Sequence, residues 1–247
     1  MRGKIRICNT KNQGYKNIDD LILLIHRLRY TKDQRDAPMS YSLSLKARKK
    51  IEEFILDGVL HTEEKITERD MAKRLGMSRA PVREAIRELI NAGLLEQISA
   101  RQIKVRQLLV TEIEEIFSIR ALLEGRATAL AAANIQSGIQ LNQLQALHEK
   151  MIVVADSLDY PAYFDLNIQF HKVIHEIANA PRLQGLIDQI MCESLLFRSR
   201  SLVNEAQIQN SIQEHSQILM SLEVRDCELA KLLMTRHIQN GFNRLEL

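Results

Sequence analysis

The sequence predicts a mostly α-helical chain in two parts: a small helical unit carrying a β-hairpin, then an all-helical antiparallel bundle. Three observations predict it. The first is composition: in 247 residues there is no Trp, aromatics make up 4%, and only nine Gly and four Pro interrupt a chain rich in Leu, Ile and Ala. That balance favours helices over a sandwich or barrel. The second is charge. Residues 1–40 hold nine Lys/Arg against four Asp/Glu, residues 41–107 hold 14 against 10, and residues 108–247 hold 11 against 17. A basic front part suits a polyanion, and an acidic back part argues against nucleic acid lying along all of the chain. The third is periodicity, which beyond residue 40 is helical nearly throughout except over residues 94–107.

Residues 1–40 read as an extension and linker. Within them "IDDLILLIHRLRY" (Ile18–Tyr30) has the pattern of an amphipathic helix, with Asp19 and Asp20 at its start. A helix is expected over Ser44–Gly58, with Leu45, Ile51, Phe54 and Ile55 on one face and Gly58 as its C-cap. "ITERDMAKRLG" gives the next, with Thr67 as N-cap and Gly76 as stop. A third runs from a cap at Ser78 to about Asn91. Pro81 is tolerated in its first turn, where no intrahelical N–H bond is needed. Two helices joined by a four-residue turn make a helix-turn-helix. "LLEQI" and "QIKVRQL" follow with strand character around a polar tip at Ser99–Arg101, which makes a wing. In the third helix Val82, Ile86, Leu89 and Ile90 form an apolar side. Arg79, Arg83 and Arg87 recur four residues apart, and Arg79 and Arg83 then point outward to a major groove. The same arginines also suit a solvated face paired to Glu84 and Glu88.

At this point the residues resemble a family. "ERDMAKRLGMSRAPVREAIRELINAGLLE" (Glu68–Glu96) is similar to the winged-helix domain of GntR-family bacterial transcription regulators. "IRALLEGRATALAA" (Ile119–Ala132), "NIQFHKVIHEIANAPRL" (Asn167–Leu183) and "EHSQILMSLEVRDCELAKLLMTRHI" (Glu214–Ile238) resemble the all-helical FCD-type effector domain of its FadR subfamily. The resemblance covers about 41–247. It implies a winged helix-turn-helix over 41–107 and a ligand-binding, dimerising bundle over 108–247. It implies a homodimer that represses or otherwise regulates transcription at double-stranded operator DNA, while Cys8, Cys192 and Cys227, odd in number and without metal-type spacing, fit reduced thiols in a cytoplasm. It also implies DNA contacts by Arg69, Arg79 and Arg83 with Ser78 and Ala80 beside them. The family commonly has Thr at the place of Ala80, so one hydroxyl contact is missing. The wing tip, "SARQ", lacks the family's glycines; Arg101 and Lys104 still reach phosphate, without close insertion.

From about Leu108 six or seven helices are expected, broken at Ser157–Asp165 and turned at Ala178–Arg182. Asn167 and His171 are four residues apart and share a helix face, while His215 and His237 sit on two further helices. Three imidazoles and an oxygen donor suffice for a divalent metal. By spacing alone, His171 and His175 make an equally good pair. The resemblance selects Asn167, His171, His215 and His237, with Asn167 where the family usually has Asp. Zn²⁺ is the expected ion, with Ni²⁺ or Mn²⁺ as alternatives. Arg120 matches a family arginine placed to clamp a small carboxylate effector; its alternative is a surface arginine paired with Glu124. No apolar run reaches the length of a membrane span, and no phosphate loop or nucleophile elbow is present. The rival readings are a purely structural metal and a metal-dependent hydrolase with an accessory DNA-binding domain.

Overall fold

The computed structural model describes residues 39–56, 59–136, 138–194, 196 and 205–245. The candidate helix Ile18–Tyr30 and the expected cap Gly58 lie outside them. Helix α1 (Met39–Leu56) begins five residues before the expected start. Its buried line is not the expected one. Ser44, Ala47, Arg48, Ile51 and Glu52 are buried, while Leu45, Phe54 and Ile55 are only half-buried. A guanidinium and a carboxylate thus sit on the inner face of α1, paired across one turn at 3.0 Å.

Helix α2 (Glu68–Leu75) is capped as its sequence requires. Thr67 accepts from the Asp70 amide at 3.2 Å, and Gly76 takes the left-handed conformation, φ 62°, that a side chain disfavours. Helix α3 (Arg79–Asn91) buries Val82, Ala85, Ile86 and Leu89 against α1, as the apolar spacing predicts. Ser78 has the extended backbone of an N-cap, but its hydroxyl bonds to nothing in the helix. Pro81, at the third helical position, has no N–H to donate and so removes one of the two amides a cap can use. Strands β1 (Leu95–Gln97) and β2 (Ile103–Val105) pair antiparallel, with Glu96 opposite Lys104. The wing needs no glycine because Ser99 closes it: its Oγ accepts from the Arg101 and Gln102 amides at 3.4 and 3.2 Å.

Six further helices follow among the described residues: α4 (Val110–Asn134), α5 (Gly138–Asp156), α6 (Tyr160–Ala178), α7 (Pro181–Glu193), α8 (Glu205–Glu223) and α9 (Cys227–Asn243). The expected break before α6 is narrower than the sequence suggests. Asp159 caps the Ala162 amide at 3.1 Å, so Pro161 is absorbed into the first turn and α6 starts at once. Asn179, at φ 47°, makes the turn into α7. Helix α4 is the axis of the bundle and lies closely along α9. Gly125 permits that approach: a Cβ there would come within 2.4 Å of Thr235 Oγ1 and 3.2 Å of the Lys231 carbonyl.

Two cores result. One is built on Ile51, Met71, Val82, Leu89 and Leu94, the other on Ile113, Leu144, Met151, Phe170, Ile174 and Met234. Burying each such side chain contributes about 1.5–3 kcal/mol. The division is not clean in sequence. Cys192, in the last turn of the bundle's α7, and Leu196, just beyond it, pack into the first core. Beside them Arg48 reaches Glu88 of α3 at 3.2 Å and Cys192 Sγ at 3.9 Å, and Arg106 reaches Glu193 at 3.1 Å. No helix among the described residues is long and apolar enough to cross a membrane.

Candidate nucleic-acid face and candidate metal centre

The burial of Val82, Ile86 and Leu89 turns the opposite side of α3 outward. Ser78, Arg79, Ala80, Arg83 and Arg87 are all exposed, and Arg69 is exposed on α2 beside them. The pairing differs from that expected of a solvated face. Arg83 Nε donates to Glu68 Oε2 at 2.9 Å, and Arg79 stands 3.8 Å from the same oxygen. Only Arg87 pairs with Glu84, loosely, at 3.9 Å. Glu68 of α2 therefore gathers two arginines of α3 while leaving the side chains of Arg83 and Arg79 45% and 62% exposed. In the wing Arg101 is exposed at the tip, and Lys104 bonds across the strands to Glu96 at 2.9 Å. The arrangement is a shallow cationic ridge of one helix and one hairpin, shaped to meet a polyanion.

The second site is buried. His171 on α6, His215 on α8 and His237 on α9 are 5%, 0% and 5% exposed. Their Nε2 atoms converge: His171 to His237 is 3.2 Å and His171 to His215 is 3.4 Å. Two carboxylates stand behind them, neither of which the sequence marks as part of a metal site. Glu124 Oε2 faces His171 Nδ1 at 2.7 Å, and Glu214 Oε2 faces His237 Nδ1 at 2.7 Å. Burial opposes the charge of Glu124, but Arg120 and the two neighbouring histidines hold it well below the usual carboxylate range. Burial likewise opposes Glu214, and His237 with Arg244 brings it down to about 2. Both are ionised and can only accept, so both Nδ1 atoms carry the hydrogen.

A consequence follows for the other ring nitrogens. Burial lowers all three histidines, His237 to about 4 and His215 well below the ordinary value, so the imidazoles are neutral. Nε2 of His171 and Nε2 of His237 then present lone pairs to each other across 3.2 Å. A cation between them removes that repulsion. Zn–N bonds of about 2.0–2.1 Å in a tetrahedron place ligand nitrogens about 3.3 Å apart, the spacing found here. The donor set fits a divalent ion, with His171, His215 and His237 to hold it.

The remaining expected residues fall around this centre. Asn167 lies one turn before His171 on α6 and is half-buried. His175 lies on the far side of Glu124, its Nε2 3.4 Å from the carboxylate oxygen that His171 uses. Glu124, His171 and His175 are thus a second cluster of possible ligands. Its 2.7 Å edge is a hydrogen-bond distance, short of a ligand–ligand edge. Arg120 bonds to Glu124 through Nε and Nη2 at 3.0 and 2.9 Å, and its guanidinium carbon sits 5.2 Å from the Phe117 ring centroid. It is not a surface arginine: its side chain is 13% exposed.

Comparison with known proteins adds a second line. Residues 43–105 match the model of the bacterial regulatory proteins of the gntR family, and residues 115–240 match that of the FCD domain. The chain is 30% identical over 184 residues to the Probable D-xylose utilization operon transcriptional repressor of Paenarthrobacter nicotinovorans, covering 74% of this chain and 80% of that one. It is 28% identical over 190 residues to the HTH-type transcriptional regulator McbR of Escherichia coli, covering 76% and 85%. The solved structure of E. coli McbR/YncC superposes with a TM-score of 0.68 at 26% identity, over 81% of this chain and 95% of that one.

Proposed function

From the premise that this chain belongs to the GntR family of bacterial regulatory proteins and is a transcription regulator with an FCD domain, we propose that a divalent ion in its bundle, with a small carboxylate acid, sets its grip on operator DNA. The observation that carries the reading is the convergence of three neutral imidazoles at 3.2 and 3.4 Å inside the bundle of a DNA-reading chain. His171, His215 and His237 hold the ion, Zn²⁺ before Ni²⁺ or Mn²⁺, and Asn167 offers a neutral fourth oxygen from the preceding turn. A bound ion supplies positive charge and open positions for the acid. Arg120 orients that acid: Nε and Nη2 face Glu124, and Nη1 has no partner among the described residues.

On the other side Arg69, Arg79 and Arg83, with Ser78 and Ala80, meet bases and phosphates of the major groove, and Arg101 and Lys104 meet phosphate. The free Ser78 hydroxyl supports this, since the helix leaves it unused. Residues 41–107 act as the reading unit and 108–247 as the sensing unit of a cytoplasmic homodimeric repressor. Dimerisation is supported by Ile119 and Leu122 on α4, 38% and 71% exposed, and by Leu186, 53% exposed, on the neighbouring α7. The Arg48 and Arg106 contacts join the two units, which gives a bundle rearrangement a route to α3.

The test is metal analysis of the purified protein, followed by operator binding with and without candidate acids. One ion per chain and an acid-dependent change in affinity are expected. A metal-loaded protein whose affinity no acid moves would leave the ion a structural role. A protein with no ion, and none taken up, would overturn the proposal.

A further inference from the structure

Behind the site two histidines are treated alike and the third is not. His171 and His237 each give Nδ1–H to a carboxylate that an arginine also holds, whereas His215 has no carboxylate on its Nδ1. The outer of these chains is the more complete. Glu214 Oε2 accepts from His237 at 2.7 Å and from Arg244 Nη2 at 3.0 Å. Its Oε1 accepts from Arg244 Nη1 at 2.9 Å and from Asn240 Nδ2 at 2.7 Å. Arg244 also donates to the His237 carbonyl at 3.3 Å, so the same guanidinium grips the ring's partner and the ring's own backbone. A bidentate fork fixes a carboxylate in plane as well as in place. With the carboxylate fixed, the imidazole can neither flip nor change tautomer, and Nε2 must face inward.

We infer that Glu214, held by Arg244, is a positioning residue that aims His237 at the ion. This rests on the metal reading above and adds a residue to it. The pair also lines an open cleft of about 390 Å³ with Asn210, Gln217, Asn240 and Asn243. A substitution at Glu214 therefore faces water on one side and does not leave a sealed void.

The alternative is a staple. Arg244 follows α9 and Glu214 belongs to α8, so their pair could merely join two helices. Four variants separate the two: Glu214→Ala, Glu214→Met, Glu214→Gln and Arg244→Ala. Each is measured for Zn²⁺ affinity by competition with a chelator, for thermal midpoint without metal, and for the Co²⁺ absorption spectrum. Positioning predicts that the two acceptor-free variants bind Zn²⁺ about 10–100-fold more weakly, the usual effect of losing an outer partner of a ligating histidine. Their Co²⁺ spectra should change. Glu214→Gln keeps an oxygen acceptor and should stay near the parent. Arg244→Ala should lower the metal-free midpoint as Glu214→Ala does, yet weaken Zn²⁺ less, because the Glu214–His237 bond survives. If Glu214→Ala and Arg244→Ala weaken Zn²⁺ equally, or if neither acceptor-free variant weakens it, the inference is overturned while the metal reading stands. If the parent takes up no ion, both fall together.

Discussion

The winged-helix unit and the bundle use charge in opposite ways. On α3 the arginines are 45% and 62% exposed, share one distant carboxylate, and are available to a partner from outside. Around the three histidines the ionisable groups are largely buried, Glu124 fully and Glu214 and Arg244 at the edge of a cleft, and each is committed to a neighbour: Arg120 to Glu124, Glu124 to His171, Arg244 to Glu214, Glu214 to His237. An exposed charge costs little to maintain and little to remove. A buried one persists only when fully partnered, so removing one member exposes the rest to the full cost of burial. The reading face should therefore tolerate mutation structurally and fail in affinity, while the sensing site should fail in both.

The largest break should come at His215. His215→Ala removes one of three converging imidazoles, and metal affinity should fall by at least the ~10–100-fold that follows loss of an outer-sphere partner. Metal-induced thermal stabilisation should vanish with it. His175→Ala should keep its ion. Metal content of the two purified variants decides the matter; an empty His175→Ala beside a loaded His215→Ala would shift the centre to the Glu124 cluster.

Arg83→Ala tests the other side. Specific operator affinity should drop by ~1–3 kcal/mol, the worth of a good base contact. The loss should lie toward the upper end, because Glu68 would lose its nearer cation and keep only Arg79, at 3.8 Å. Its melting temperature should move little. Normal operator binding in a gel-shift titration would mean that α3 does not enter the groove as drawn.

Acid should expose the same contrast without mutation. In the unfolded chain a histidine takes up a proton near its ordinary value of 6.5, but buried His237 does so only at about 4. Between those values the unfolded state binds more protons, so stability falls as pH falls. Glu214, held to about 2 in the fold against an ordinary 4.5, extends the loss below pH 4.5 in the same direction. Metal-free melts at pH 7, 6 and 5 should show a declining midpoint. A flat profile would mean that the histidines are not buried neutral.

The smallest effect should be at the wing. Ser99→Ala removes the acceptor that closes the tip, at a cost of about 0.5–1.5 kcal/mol for the hydrogen bonds lost. Far-ultraviolet melts would register it, and bundle metal affinity should not change. A metal affinity that did move would show the two units to be more tightly coupled than the Arg48 and Arg106 contacts require.

What the sequence determined by itself is whatever a single element encodes. Thr67, Gly76 and the apolar face of α3 are written within one or two turns, so the helix-turn-helix, its outward arginines and the presence of a hairpin were legible, while the register that sets Glu96 opposite Lys104 was not. The histidine spacing likewise offered candidates, but left His175 open beside them. Only the tertiary structure could choose among partners far apart in the chain. Glu124 meets His171 across 47 residues, Arg48 meets Cys192 across 144, and Arg244 meets Glu214 across 30. The sequence marks Arg48, Glu214 and Arg244 only as charges, which usually signal a surface. The reason is physical: periodicity reports which side of a helix is apolar, whereas a buried ion pair is decided by what the neighbouring helix brings. Arg48 and Glu52 sit at the inner positions of α1, as apolar residues would, because Glu88 and Cys192 are there to receive the guanidinium.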